Sequence, residues 1–499
     1  MTRRRKVLIL VAGVAAVWSS GLLAVPGVAG AWAQAATRGT GTAGAVGSWG
    51  QAIGVPGLGV LNAGGDAGVN SLSCGKPGTC AAVGSYTDQH KHKQGFVVLE
   101  RKGRWGRAIE VPGLGALNKG GTASVVSVSC GPAGTCTAAG NYTDGSAHRQ
   151  GFVTGERNGV WTKATEIPGL GMLNAGGKAK VSDVSCATAA NCVAVGSYTD
   201  ATGHTQGFVA SEKNGDWDQA IEVPALGTLN AGGDADVTSV SCASAGNCTA
   251  GGGYSDGSGS AQGFVAGEKN GTWGQAIEVP GLGTLNAGGA AGVLTVSCAT
   301  SGNCAVGGFY FDGEQNEQGF VASENNGHWG QALDPPGLEP LNASNSDPLA
   351  FVNSVSCASP GNCTAVGDYG WPYSWVFLAS EKNGTWGKVT SVAISASVAV
   401  GRFASIGTVS CASAGNCATG GGAENMTQGG DGPAAFLTVQ RKGHWAKSTA
   451  VPGLKALDKV HPEEASVVSV SCGSAGDCTA SGYFTDKHGH SQGFVTQGS

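Results

Sequence analysis

Sixteen cysteines fall in eight pairs, and the two members of each pair stand six positions apart: Cys74/Cys80, Cys130/Cys136, Cys186/Cys192, Cys242/Cys248, Cys298/Cys304, Cys357/Cys363, Cys411/Cys417 and Cys472/Cys478. The same words surround each pair, as in VSCASAGNCTA from Val240 to Ala250. A chain that copies one unit eight times folds as repeated supersecondary elements, stacked or closed into a ring. Trp49, Trp105, Trp161, Trp217, Trp273, Trp329, Trp386 and Trp445 open the copies, 56 residues apart five times, then 57 and 59.

One copy reads as four short strands. Trp217 to Val223 is predicted as the first, with Trp217, Gln219, Ile221 and Val223 on one face by alternation. A Pro-Ala/Gly-Leu-Gly turn and an Asn-Ala-Gly-Gly loop follow as chain punctuation. Val237–Cys242 and Cys248–Tyr254 are the second and third strands, and Gln262–Lys269 is the fourth. Asn270-Gly271 then turns into Trp273, and Asn-Gly between strands marks a two-residue type I′ hairpin. Four antiparallel strands in units of 40 to 60 residues are propeller blades.

The ends of the sequence complement each other. The last copy stops at Ser499, after Gln492-Gly493-Phe494, without its Trp-bearing strand, and Ser48 to Ile53 supplies that strand. The expected fold is all-β: a single eight-bladed β-propeller over residues 48–499, four antiparallel strands per blade, closed by the N-terminal strand completing the last blade. Closure of this kind removes two exposed sheet edges at once.

The cysteine spacing excludes two chemistries. Zinc needs four ligands, and no second pair or histidine travels with each copy. A thioredoxin-like site uses Cys-x-x-Cys. Eight disulfide staples remain, local clasps that each bracket the turn between the two inner strands. Each closes a loop of about seven residues, worth roughly 2 kcal/mol on the chain-entropy model. No metal and no cofactor is expected.

Staples imply an oxidising compartment, and the N-terminus agrees. Arg3, Arg4, Arg5 and Lys6 precede an apolar run from Val7 to Ala16, and Ala31-Trp32-Ala33 or Ala33-Gln34-Ala35 suits signal-peptidase cleavage. Residues 1–35 are read as a signal peptide cut near 33–35, and 36–47 as a flexible linker. The competing reading is a retained anchor, since Val7 to Ala33 is long enough to span a bilayer; Sec and twin-arginine export both stay open. The mature chain is expected to be secreted and monomeric, free or associated with the cell surface, with no membrane span. A net charge of −5 without a basic face argues against nucleic acid as a partner.

Function is sought on the face opposite the staples, where the PGLGxLNAGG and YTDxxGHxQG loops emerge, because loops on a rigid scaffold carry binding residues. The repeated Asp88, Asp144, Asp200 and Asp256, the histidines at 90, 92, 148, 204, 488 and 490, and Asn62, Asn118, Asn174, Asn230 and Asn286 are read as turn residues. A single reaction centre breaks symmetry, so departures from the repeat are the better candidates. Catalytic candidates are Glu339, Asp368 and Glu463. Binding candidates are Trp371, Tyr373, Trp375, Asp347, Glu424 and His461, exposed aromatics near carboxylates suiting sugar rings.

The VSCxSxGxC and QGFVxSEKNGxW motifs resemble repeats of secreted actinobacterial β-propeller proteins over nearly all of residues 48–499, which implies the same fold and an extracellular setting. SEKNGTW also looks like a shortened Asp-box of sialidase-like propellers, departing from it in the tighter Asn270-Gly271 turn and the missing Ser-x-Asp-x-Gly spacing. Sialidases need an arginine cluster, and arginines here are sparse and lie mostly in hairpins on the stapled face. Near-identical blades favour a non-enzymatic module binding a glycan, cell-wall component or extracellular protein. The second reading is a glycan-acting hydrolase or lyase on the top face of blades six to eight, with its carboxylates paired at a glycosidase separation.

Overall fold

Ala67–Lys76, Thr79–Thr87 and Lys93–Arg101 form three consecutive antiparallel strands, and Arg104–Trp105 and Ile109–Glu110 both pair with the third as a broken outermost strand. This is blade 1. The computed structural model describes residues 48–370, 374–392, 394, 403–424, 434–457 and 465–498, and within them the pattern recurs eight times. The chain is an all-β, eight-bladed propeller. The innermost strands of blades 2 to 8 are Ala123–Cys130, Lys180–Thr188, Ala235–Ser244, Ala291–Thr300, Ala350–Ser359, Phe403–Ser413 and Ser466–Ser474. Blade 8 takes its outermost strand from Ile53–Gly54, opposite Val495 and Phe494, with a further bridge from Trp49 to Gly498.

Each blade packs face to face on the next. Phe96, Phe152, Phe208, Phe264, Phe320, Phe377, Phe436 and Phe494 are all fully buried in the resulting layers. A β-bulge in every innermost strand, between Val69 and Ser71 in blade 1, adds twist where the blades converge. It also forces a glycine on the neighbouring strand: a Cβ at Gly84 would lie 2.0 Å from the Gly68 carbonyl oxygen, and its seven counterparts are as tight.

The serines of the repeated Ser-x-Ser-Cys motif join the blades. The Val128 N–H donates to Ser71 Oγ at 3.3 Å, and the Cys130 N–H to Ser73 Oγ at 3.0 Å. The same two bonds run from every blade to the next, with Asp183, Thr295 and Thr408 standing in the first ring in place of serine. An innermost strand would otherwise present a free edge of unpaired N–H groups; here the preceding blade satisfies it. Because the Cys74 N–H points to Ser471, Cys74 and Cys80 form a non-hydrogen-bonded cross-strand pair.

All eight Cys-x5-Cys pairs are disulfides of this kind, with Cα atoms 3.9 to 4.0 Å apart. The pairing and its place across the turn between the two inner strands are as expected, and burial gives the second cysteine a further role. Only the first cysteine of each pair is half-buried. The second, at Cys80, Cys136, Cys192, Cys248, Cys304, Cys363, Cys417 and Cys478, is buried between the blades. Cys304 is 3% exposed, and its Sγ accepts the Thr249 hydroxyl of the preceding blade at 3.3 Å. Cys363 is 5% exposed and packs in one apolar cluster with Ala365, Phe377 and Trp386. The reason is the pleat: directly opposed residues point to the same face of a sheet, and that face meets the preceding blade. These second cysteines are therefore core residues as well as staples.

Three local expectations are corrected. The outermost strand is not continuous: Asp216–Trp217 and Ile221–Glu222 flank a break at which the Ala220 N–H donates to the Pro168 carbonyl at 2.7 Å. The break shifts the alternation, so Ala220 and Val223 are buried while Ile221 is exposed. The PGLGxLN segments are single helical turns, such as Leu58–Leu61, entered through a left-handed residue (Gly57, φ 81°) and plugging the blade junction with a buried leucine. The asparagines that close them are buried tethers rather than simple turn-formers: Asn118 Nδ2 donates to the Lys93 carbonyl at 3.1 Å and to Gln94 Oε1 at 3.0 Å.

The hairpins behave as expected. Asn270 and Gly271 both have positive φ, and the Gly271 N–H donates to the Gly246 carbonyl, so the Asn-Gly turn and the stapled turn share the lower face.

Candidate functional site

On the upper face, the repeated aspartates close their own turns. Asp200 Oδ1 accepts the Thr202 hydroxyl and the N–H groups of Thr202 and His204, which hold its carboxyl below the ordinary range. Asp88, Asp144, Asp256, Asp312 and Asp486 accept the corresponding pair of N–H groups. One oxygen of each carboxylate is thereby committed to closing its own turn. The histidines of four of these turns pack over the next blade's loop glycine, His92 over Gly121, His148 over Gly177, His204 over Gly233 and His490 over Gly65. Among the described residues no three His, Cys, Asp or Glu side chains gather as a metal site.

The breaks in symmetry lie at the upper end of the propeller axis. Two facing positions, one near the start of each innermost strand and one opposite it on the next strand, change from blade to blade, as does the bulge residue two places on from the first (Asn70, Val126, Ser182, Thr238, Leu294, Asn353, Gly407 and Val468). The first position carries Gly68, Ser124, Lys180, Asp236, Gly292, Phe351, Ser405 and Ser466; the second carries Ser85, Asn141, Ser197, Gly253, Phe309, Asp368, Gly422 and Tyr483. Blades 3 to 6 therefore present, in order around the ring, a cation, a carboxylate, two aromatic rings and a second carboxylate.

Each of these groups is partly buried. Phe309 and Phe351 stand edge to face with ring centroids 6.1 Å apart, and Phe309 packs over Gly292, where a Cβ would approach its ring to 3.3 Å. Burial pushes the Asp236 carboxyl upward, and the Lys180 ammonium from the neighbouring blade pulls it back down. Further down the axis, burial likewise raises Asp183, although Ser127, Ser239 and the N–H groups of Val184 and Val240 all donate to it.

Asp368 joins two blades. Its Oδ1 accepts the Ile406 N–H at 2.9 Å, while Oδ2 accepts Asn353 Nδ2 at 2.9 Å and the Ser405 hydroxyl at 3.1 Å. Burial nevertheless drives its carboxyl up to about 7. Asn141 holds the equivalent place in blade 2, accepting the Val181 N–H at 2.7 Å and donating to its carbonyl at 3.1 Å. In blades 2 and 6 this position is thus an inter-blade clamp.

The other sequence candidates are spread over different parts of the upper face. Glu339 is exposed in the helical turn Leu338–Asn342, where its charge bears on Asp334 and Tyr310 of the blade 5 rim. Asp347 is exposed in the same loop. Trp375 is 43% exposed at the start of its strand, paired with Tyr369. Glu424 ends the strand Asn416–Glu424, opposite Phe403. Trp371, Tyr373, His461 and Glu463 lie outside the described residues. Glu339 and Asp368 share no partner. Lys180, Asp236, Phe309 and Phe351 were missed by a search for irregular loops, because they replace small residues inside strands of unchanged length. Setting the eight copies in columns would expose them.

No protein-family model and no curated protein matches the chain. Solved structures do. A PL25 ulvan lyase, of a new family of polysaccharide lyase, aligns with a TM-score of 0.44 and 10% identity, over 89% of this chain and 95% of its own. A GH74 xyloglucanase from Xanthomonas campestris aligns with a TM-score of 0.40 and 10% identity, over 89% of this chain and 73% of its own. An acylaminoacyl peptidase from Pyrococcus horikoshii aligns with a TM-score of 0.43 and 11% identity, over 86% of this chain and 59% of its own. At these identities and scores nothing of their chemistry is carried to this chain.

Proposed function

We propose that this chain is an extracellular, non-enzymatic binding propeller that takes a glycan at the upper end of its axis. One observation carries the reading: two facing strand positions that change from blade to blade hold Lys180, Asp236, Phe309, Phe351 and Asp368 in blades 3 to 6. Such an arc suits a ligand with both ring faces and hydroxyl edges. Phenylalanine rings take up apolar C–H faces, and carboxylates and an ammonium exchange hydrogen bonds with hydroxyls. The extracellular setting rests on sixteen cysteines, all committed to disulfides. Closure of the ring by its own N-terminal strand supports action as a monomer.

The test is a glycan array probed with residues 36–499, followed by titration of any hit against Phe351→Ala and Asp236→Asn. Binding weakened about tenfold or more in both variants is expected, since a stacking ring or a charged hydrogen bond contributes on the order of 1.4 kcal/mol. A silent array, or hits bound equally by both variants, would sink the proposal.

A glycan-acting hydrolase or lyase is the second reading, and the elevated carboxyl of Asp368 is what favours it. A carboxyl that titrates near 7 is half protonated at neutral pH, as a general acid requires. Turnover of an identified glycan that is abolished in Asp368→Asn and retained in Phe351→Ala would select it.

A further inference from the structure

The upper face is divided by charge. Residues 223–261, 279–317 and 335–374, which carry that face in blades 4 to 6, contain no lysine or arginine, and Asp234, Asp236, Glu317 and Asp347 are among their acids. In blades 1 to 3 the same face carries Lys91, Lys93, Lys119, Arg149, Lys178 and Lys180. The net charge of −5 conceals this division.

The fold fixes where these cations stand and asks nothing of their side chains. Lys93 and Arg149 open the third strands of blades 1 and 2, and each bridges to the loop of the following blade, at Thr122 and Lys178. Structural duty at this place falls on the backbone: Asn118 Nδ2 donates to the Lys93 carbonyl at 3.1 Å and Asn174 Nδ2 to the Arg149 carbonyl at 2.9 Å. Thr205, Ala261 and Glu317 hold the same place in blades 3 to 5, and their carbonyls accept the same bond. The side chain thus passes from cation through neutral to anion while the tether stays. Lys178 likewise stands where blades 1, 2 and 4 have Asp66, Thr122 and Asp234.

All of these cations except Lys180 are exposed. Lys91 Nζ donates to the Gly64 carbonyl at 3.2 Å, and Lys180 is set against Asp236. Among the described residues no ion pair neutralises Lys93, Lys119, Arg149 or Lys178. The aspartates of the adjoining turns stand beside their own histidines, Asp88 at 3.8 Å from His92 and Asp144 at 3.7 Å from His148. Cations gathered on a rigid surface raise the local concentration of anions and steer them in.

We propose that this sector binds an acidic polysaccharide, whose carboxylates or sulfates lie across the seams of blades 1, 2 and 3 on Lys93, Lys119, Arg149 and Lys178. The acids of blades 4 to 6 repel the same polymer and so set which way it crosses the face. Nucleic acid fits less well. Single strands are held by stacking bases on aromatic rings, and no phenylalanine, tyrosine or tryptophan of residues 55–205 is exposed. Tyr86, Tyr142 and Tyr198 are buried, with their hydroxyls donating to Glu110, Glu166 and Glu222. The four cations lie outside the axial arc, so this surface works whether or not a glycan is held at the axis.

The experiment measures binding of residues 36–499 to immobilised polygalacturonate, dextran sulfate and unmodified dextran, at about 50 mM and about 500 mM sodium chloride. Binding to one or both acidic polymers, absent on dextran and much weaker at the higher salt, is expected; the polymer held more tightly identifies the acid group. Arg149→Glu with Lys178→Asp should weaken it about tenfold or more, since two attractions become repulsions. Blades 5 and 4 carry these acids at the same places, as Glu317 and Asp234, so a folding defect is not expected to obscure the result. No binding to either acidic polymer, equal binding of dextran, or unchanged binding in the folded double variant would overturn the proposal. Tighter capture of an oligodeoxythymidine than of either polymer would replace it with a nucleic-acid surface. Polymer binding lost in Phe351→Ala but kept in the double variant would move the ligand to the axial arc and overturn the sector. Neutral glycans captured on the array, with no acidic polymer bound, would overturn the sector and leave the axial site standing.

Discussion

The Leu72 N–H of blade 1 donates to the Ser469 hydroxyl of blade 8 at 3.1 Å, across 397 residues of chain. It is the bond that Val128 makes to Ser71 between adjacent copies. The closing seam therefore uses the same chemistry as every other junction, and Ser471 repeats it two residues on by accepting the Cys74 N–H at 2.9 Å. A hydroxyl here does what a neighbouring strand does in an ordinary sheet.

Replacing Ser469 and Ser471 together by alanine leaves two partly buried N–H groups without acceptors, each costing about 1 to 3 kcal/mol. The double variant is expected to unfold at clearly lower urea concentration than wild type. Ser71→Ala with Ser73→Ala, one junction along, should cost a similar amount because the bonds are equivalent. Wild-type stability in both double variants would show that water replaces the hydroxyls and that the rings carry little weight.

Ala225 enters its helical turn with φ 63°, where glycine stands at the same place in blades 1, 2 and 3, as in Gly57, Gly113 and Gly169. The left-handed region costs an alanine roughly 1 kcal/mol that glycine does not bear. Ala225→Gly is thus expected to raise the unfolding midpoint, an unusual sign for a substitution to glycine. Thermal and urea denaturation of the single variant suffice, and a lower midpoint would count against the strained geometry.

Much of this architecture can be read from the copies themselves. Repeat length, hairpin turns such as Asn270-Gly271, the cysteine spacing and the interrupted last copy together define eight blades and their seam. The serines just ahead of the first cysteine of each pair were opaque for a physical reason: their partners lie one copy further on, and periodicity within a copy does not reveal the register between sheets. The depth of Cys304 and Cys363 was hidden for the same reason, since what covers them is the adjoining blade. The broken outer strand escaped similarly, since the Pro168 carbonyl that draws in the Ala220 N–H belongs to a loop more than fifty residues earlier. Asp368 stood out because its loop is irregular. Lys180 and Phe351 did not, because their strands keep their length and only the side chain changes.

The disulfides are short-range cross-links, and their removal should behave accordingly. Replacing Cys242 and Cys248 by alanine frees a loop of about seven residues, with an expected loss of roughly 2 kcal/mol. The ring itself should persist, since the Ser185 and Ser241 hydroxyls still accept the N–H groups at positions 242 and 298. Circular dichroism of the double variant is expected to keep its β signature while the urea midpoint falls. Loss of folded structure altogether would mean that a single clasp is needed for closure.

Glu100 gives the sharpest pH dependence. It is fully buried beside the seam, and among the described residues neither carboxylate oxygen has a hydrogen-bond partner. Burial, reinforced by the negative charge of Asp477 across the junction, pushes its carboxyl up to about 7. Unfolded, the same group titrates near 4.3. Between those values the folded protein keeps a proton that the unfolded chain has released, so the contribution of Glu100 to stability is complete below about pH 4.3 and is lost as pH rises through about 7. The loss is on the order of 3 kcal/mol. Glu317 and Asp368, raised to about 8 and about 7, add slope of the same sign, so the comparison that isolates Glu100 is wild type against Glu100→Gln. Urea denaturation at intervals from pH 4.5 to 8 should show wild type falling more steeply, with the variant gaining on it by a few kcal/mol at pH 8. Asp477→Asn should narrow the same gap from the other side by removing the like charge. Parallel stability curves for wild type and Glu100→Gln would mean that the carboxyl is solvated or paired in solution.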